Sequence, residues 1–134
     1  PNWPALRDLG IPVTHVLGYT GRGVRIAILD TGFERAHEAL STRQVVAVRD
    51  FIDGDTDVGD GSTDEVAHGT QVWSILGGYR PGTIVGPAYE AQFVLARVDA
   101  EPGDTRADED RWVTVRGSFN AEDDSTVARI ASVR

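Results

Sequence analysis

Cysteine and methionine are both absent from this 134-residue sequence, and no apolar run approaches the length of a transmembrane helix. Without cysteine, disulfides and thiolate metal sites are excluded. Basic residues are in the minority, 13 Lys and Arg against 21 Asp and Glu, giving a net charge of -8. That balance argues against a nucleic acid or an anionic membrane as partner. No charged-then-apolar leader opens the chain. A chain that opens on Pro1 and holds no methionine is expected to have been processed, cropped or read from a partial gene. What is present suits a globular protein: 40% apolar and 25% charged residues argue against wholesale disorder. The length allows one domain with a modest core.

The chain is organised around Val24-Arg25-Ile26-Ala27-Ile28-Leu29-Asp30-Thr31-Gly32. Residues 24–29 form a short apolar run between glycines, which predicts a strand buried on both faces inside a parallel sheet. Asp30 then stands at the carboxyl end of the strand, on the rim where open α/β sheets place their ligands. Thr31-Gly32 turns the chain.

Around this strand the remaining elements follow in order. Residues 2–10 predict a short helix with Asn2 as cap and Pro4 in the first turn, and residues 13–17 a second. The glycine-rich stretch 18–23 precedes the strand, so it is not a dinucleotide fingerprint. Residues 34–40 fit a short helix and 45–51 a second strand. Residues 53–64 form an acidic loop. Residues 69–76 predict a further helix, closed by Gly77-Gly78 in a left-handed cap. After the turn-rich stretch 81–87, residues 92–98 give another strand. Strand, helix and strand at this spacing imply an α/β fold with a parallel sheet and right-handed crossovers. From residue 114 onward no clear period is visible.

A second stretch, Asp64-Glu65-Val66-Ala67-His68-Gly69-Thr70-Gln71-Val72, carries the chemistry. His68 would stand at the mouth of the helix, where partial positive charge disfavours imidazolium. A histidine acting as general base therefore needs a compensating carboxylate, and Asp30 is the natural candidate. Gly69, lacking a side chain, would let another backbone approach closely. Ser62-Thr63-Asp64-Glu65 is also a possible capping box. It would start the helix before His68 and put the reach to Asp30 in question. His15 and His37 have no motif around them and read as surface or packing residues. Asp53, Asp55 and Asp57 imitate the start of a calcium loop, but Val58 stands where that loop needs glycine, so a solvated acidic loop is favoured.

These residues resemble the subtilisin-like serine proteases, peptidase family S8. Ile26-Ala27-Ile28-Leu29-Asp30-Thr31-Gly32 is similar to the family's aspartate motif and His68-Gly69-Thr70 with Val72 to its histidine motif. Aspartate precedes histidine, as in the family's triad, which ends with serine. Tyr19-Thr20-Gly21-Arg22-Gly23-Val24 resembles the lead-in to the aspartate strand. Ile84-Val85-Gly86-Pro87-Ala88 and Leu95-Ala96-Arg97-Val98 resemble the segment after the histidine helix. The similarity runs from about Leu17 to Val113, Glu109-Asp110-Arg111-Trp112-Val113 being its last piece. Residues 1–113 thus look like the N-terminal part of a subtilisin-like catalytic domain, and 114–134 a tail from a shifted reading frame or a mis-joined end.

The resemblance implies a three-layer, mainly parallel α/β fold, here incomplete. It implies a serine-type endopeptidase with Asp30 and His68 catalytic and a polypeptide as substrate. No cofactor is required for the chemistry. Calcium sites occur in the family, but no motif here maps onto one. A secreted or cell-envelope location is suggested by the resemblance only.

The sequence departs from the family at Gln71, where a second histidine is usual, and at Trp73, where a small residue is usual. The larger departure is the absence of the Gly-Thr-Ser nucleophile motif and of the oxyanion asparagine. The serines present are Ser41, Ser62, Ser74, Ser118, Ser125 and Ser132; the asparagines are Asn2 and Asn120. The chain is therefore expected to be inactive alone and to need the missing serine-bearing half. Two alternatives stay open. One is a non-catalytic pseudoprotease fragment that binds a partner. The other is a dimeric aspartic protease using Asp30-Thr31-Gly32, which predicts an almost all-β chain.

Overall fold

Gln92–Arg97 (β5) is the most buried strand, with every residue after Gln92 inaccessible or nearly so. The computed structural model, which describes residues 2–98 and the backbone of 115–117 and 128–130, explains why. β5 lies in the middle of a three-stranded parallel sheet, between Arg25–Asp30 (β1) and Gln44–Asp50 (β2). The two-sided burial expected of the first strand falls on β5 instead. β1 is an outer strand of this sheet, Arg25 and Ala27 are exposed, and Val24 is half exposed. An apolar run reports burial but not strand order, and the order depends on pairing made much later in the chain.

One face of the sheet forms the core. Ile26 and Ile28 of β1, Phe93 and Leu95 of β5, and Val45 and Val48 of β2 pack with Phe33, Leu40, Val58 and Trp73. Val45 and Val48 are three residues apart, so strict alternation would send them to opposite faces. A register shift between Val45 and Ala47 corrects this by leaving Val46 as an extra, exposed residue.

Thr63–Gly77 (α3) lies against that face. It starts six residues earlier than the expected 69–76. Ser62 Oγ accepts the Glu65 amide at 3.3 Å and Glu65 Oε2 accepts the Ser62 amide at 2.6 Å, completing the capping box. At the other end Gly78 is extended (φ -59, ψ 142) rather than left-handed. Glycine is needed there because a Cβ would come within 2.5 Å of Ser74 O. Gly77 has a similar reason, since a Cβ would meet the Phe93 ring at 2.3 Å. Helix and central strand thus touch at a residue without a side chain. Trp73 is wholly buried between Phe33 and Phe93, edge-on to both.

The shorter elements also differ in part from expectation. Trp3–Asp8 (α1) and Ile11–Val16 (α2) are the two short N-terminal helices. Asn2 does not cap α1 with its side chain; it pairs instead with both backbone groups of Val85, 83 residues away. Residues 34–40 are turns, not a helix. Their amides are drawn to local acceptors, Ala36 N to Glu34 Oε1 and Ala39 N to His37 Nδ1. Tyr79–Arg80 (β3) and Ile84–Val85 (β4) pair as a small antiparallel hairpin, β4 falling inside the stretch 81–87 expected to be turns and β3 just before it. Val115–Gly117 (β6) and Ala128–Ile130 (β7) pair antiparallel where no element was expected. The rest of the 114–134 tail, and residues 109–113, lie outside the described residues. The parallel sheet and the 15-residue α3 differ from the almost all-β chain of the aspartic alternative.

The entry to β1 and β5 is held by Glu90, whose carboxylate accepts from the buried Thr20 hydroxyl and from Arg22. Both bonds hold its carboxyl below the ordinary glutamate range, Thr20 contributing most. The stability it contributes is therefore present above that range and is lost as pH falls through the depressed value. Replacement of Thr20 by Val should move the Glu90 titration, followed by carbon NMR, back toward the ordinary range. An unchanged midpoint would remove the hydroxyl as its cause.

Candidate active site

Asp30 ends β1, and its position is fixed by ladder bonds on one side and by α3 on the other. The Val98 amide donates to Asp30 O at 3.0 Å, prolonging the β1–β5 pairing by one bond. Thr31 and Gly32 then lead the chain under the middle of α3. Thr31 Oγ1 lies 2.7 Å from Glu65 O and 3.1 Å from Asp30 Oδ1. A hydroxyl has one proton, and the shorter contact assigns it to the helix carbonyl. The Glu34 amide donates to Thr70 Oγ1 at 2.7 Å, while that hydroxyl donates to Val66 O at 2.6 Å.

Between these anchors two glycines face one another. A Cβ on Gly69 would stand 2.1 Å from Gly32 O and 3.0 Å from Asp30 Oδ1. A Cβ on Gly32 would stand 3.3 Å from Val66 Cα. The close backbone approach expected at Gly69 is present, and its partner is the turn after Asp30.

That approach sets the reach of His68. Its Nδ1 lies 2.7 Å from Asp30 Oδ1. The Asp30 side chain is 10% exposed and the His68 side chain 62% exposed, so the pair is closed on the carboxylate side and open on the imidazole side. A carboxylate only accepts, so Nδ1 must carry the proton in this bond. The same Asp30 oxygen accepts the Thr31 amide at 2.8 Å. His68 is the sixth residue of α3, not the first, so the terminal partial charge of the helix has faded there. The doubt raised by an early helix start is resolved by where the turn sits: it leans on the middle of α3.

Of the described residues considered at sequence level, Asp30 and His68 are brought together. His15 packs edge-on against Tyr89, with Nε2 2.9 Å from Pro87 O, and His37 belongs to the 37–41 turn. Gln71 is exposed and Trp73 is core. Ser62 caps α3. Ser74 lies six residues beyond His68 on α3, about 9 Å along the axis, too far for its hydroxyl to meet the imidazole. Ser118, Ser125, Ser132 and Asn120 lie outside the described residues. In the acidic loop, Asp55 and Asp57 accept amides two residues on, and Asp53 pairs with Arg97. Among the described residues no three of His, Asp or Glu gather closely enough to hold a metal ion.

Arg97 and Asp50 were not singled out from the sequence, yet they form a buried ion pair at 2.9 Å beside the Asp30 turn. The available signal was a charged residue closing each of three apolar strands: Asp30, Asp50 and Arg97 stand in register across the sheet.

Comparison with known proteins bears on the family of the chain. The sequence profile of the subtilase family, peptidase S8, matches residues 21–115. The chain belongs to the subtilase family. It is 38% identical over 88 residues to the minor extracellular protease Vpr of Bacillus subtilis, covering 61% of this chain and 11% of that protein. It is 30% identical over 94 residues to the major intracellular serine protease of the same organism, covering 69% and 29%. An intracellular serine protease of Paenibacillus polymyxa is 32% identical over 102 residues, covering 75% and 30%. This subtilase chain therefore spans less than a third of each of these relatives. Its parallel sheet with helices is compatible with the family's α/β fold, in incomplete form. Extracellular and intracellular proteins both occur among the relatives, so they do not assign it a location. No helix among the described residues is long and apolar enough to cross a membrane.

Alanine at Gly69 should force α3 away from the Asp30 turn and cost about 1–3 kcal/mol of stability, as overpacked sites do. Alanine at Gly59, where a Cβ meets nothing closer than 3.4 Å, should stay near wild type. Chemical denaturation of the two variants checks this; equal midpoints would mean that the glycine contact does not set the packing.

Proposed function

We propose that this chain is the aspartate- and histidine-bearing part of a three-layer subtilisin-like serine endopeptidase. The single observation that supports the reading is the His68 Nδ1 to Asp30 Oδ1 contact of 2.7 Å, in a chain matching the subtilase profile. In this reading Asp30 holds the imidazole in the Nδ1–H tautomer and stabilises the imidazolium that forms. His68 Nε2 takes the proton from a serine hydroxyl supplied by sequence outside this chain. The serine oxygen bonds to the carbon of a substrate peptide group. Collapse of the tetrahedral adduct breaks the C–N bond, and the imidazolium returns the proton to the departing amine. Water then attacks the acyl-enzyme by the same route and frees the serine.

This sequence of steps asks for no cofactor. The substrate is a polypeptide; the acidic balance of the chain points away from nucleic acid and anionic membrane surfaces. Alone, the chain lacks a serine in the family's motif and is inactive.

The test is a fluorophosphonate label, which reacts with an activated serine. The 134-residue chain should take up none. Joined to a serine-bearing half from the same gene, it should be labelled, and His68→Ala should abolish the label. Asp30→Asn in the joined protein should lower kcat on the order of 10⁴-fold, through the wrong tautomer. Labelling of the chain alone that His68→Ala removes would contradict the assignment of the nucleophile to the other half. Full activity of the Asp30 variant would contradict the role of the carboxylate.

A further inference from the structure

Arg97 is a buried cation that touches neither the Asp30 carboxylate nor the imidazole through any bond described above, yet it grips the turn between them. It closes the central strand and is 1% exposed. Its Nη1 donates to Asp50 Oδ2 at 2.9 Å and to Asp53 Oδ2 at 2.8 Å, and its Nε donates to Thr31 O at 3.1 Å. The charged groups around it are Asp50 at the end of β2, Asp53 in the loop that follows, and Glu65 of α3. Glu65 Oε2 and Arg97 Nη2 both lie within 3.5 Å of the point where a Gly61 Cβ would stand. Burial on its own would lower the tendency of Arg97 to hold its charge; the two aspartates outweigh this and raise it. A buried ion pair is often no more stabilising than apolar residues of the same volume, so its contribution to stability does not by itself account for it.

The bonds around Thr31 supply a second reason. Its amide donates to Asp30 Oδ1, its hydroxyl to Glu65 O, and its carbonyl accepts from Arg97 Nε. The peptide groups on both sides of Thr31 are thereby held, one by Asp30 itself and the other by Arg97. We propose that Arg97 is a positioning residue for the proteolytic site: it fixes Thr31 so that its amide aims at Asp30 Oδ1 and the carboxylate faces His68. The inference rests on the reading of Asp30 and His68 as a working pair.

The test reads the His68 tautomer in the 134-residue chain, from ring-nitrogen shifts in a long-range proton–nitrogen spectrum above the imidazole titration. Free imidazole favours the Nε2–H form, and a bond from Nδ1 reverses this. The wild-type chain should show Nδ1–H, and Asp30→Asn should shift it toward Nε2–H. Arg97→Lys keeps a cation against Asp50 and Asp53 but lacks the planar fork that also reaches Thr31 O. It should move the tautomer signal roughly half-way or more toward the Asp30→Asn value. Asp53→Asn loosens the same cluster without touching Thr31 and should match wild type.

If Asp30→Asn shifts the signal and Arg97→Lys does not, the positioning role is overturned and the Asp30–His68 pair stands. If Asp30→Asn leaves the signal unchanged, the pair itself is overturned, and the role of Arg97 with it. Collapse of the whole amide spectrum in Arg97→Lys also overturns the proposal, because the residue then serves the core rather than the turn.

Discussion

The close packing of the Gly32 carbonyl against Gly69 is the constraint on which the site depends. A side chain at position 69 would occupy the space of the turn, and α3 would stand further from the end of β1. With hydrogen there, the helix backbone comes down onto the turn, and the neighbouring residue of the helix carries its imidazole to the carboxylate. Hydroxyls on either side, Thr31 on Glu65 O and Thr70 between Val66 O and the Glu34 amide, hold this approach in place. The contact is thus built from backbone proximity first and side-chain chemistry second. A glycine beside a histidine is a structural requirement of such a site as much as a flexible joint.

Behind the turn the chain accepts unfavourable polar burial. Arg97 and Asp50 are both shut off from solvent at the end of the sheet, where each ion loses its hydration and must be satisfied by its partners. Asp50 uses its second oxygen for the amides of Ile52 and Asp53, so that carboxylate is fully engaged. The core makes a different concession. Trp73 fills the space between Phe33 and Phe93, but its buried indole N–H meets no acceptor among the described residues, and a buried donor left unmet costs on the order of 1–3 kcal/mol. Packing area outweighs that loss for so large a ring.

How much of this is legible in the sequence depends on the range of the interaction. Asp30 and His68 are visible because a carboxylate after an apolar run and a histidine beside glycine each mark a local conformation. The capping box at Ser62 is visible for the same reason, and it places the helix start better than Gly69 does. What its early start would do to the reach of His68 is not visible, because that depends on which turn of α3 the 31–34 segment meets. Residues 34–40 have helical spacing, yet the Thr70 hydroxyl and the side chains of Glu34 and His37 claim their amides. β1 reads as doubly buried because nothing local announces that β5 takes the central place. Arg97 shows in sequence only as a charge closing an apolar strand: its meaning comes from register with Asp30 and Asp50, residues 67 and 47 positions away.

The central claim is that Asp30 and His68 interact, and a double-mutant cycle measures that interaction most directly. The stabilities of the wild-type chain, Asp30→Asn, His68→Gln and the double variant are compared by chemical denaturation at one pH. Two residues in hydrogen-bonded contact should show a coupling of at least about 0.5 kcal/mol. Additivity within about 0.3 kcal/mol would mean that the carboxylate and the imidazole do not meet in solution.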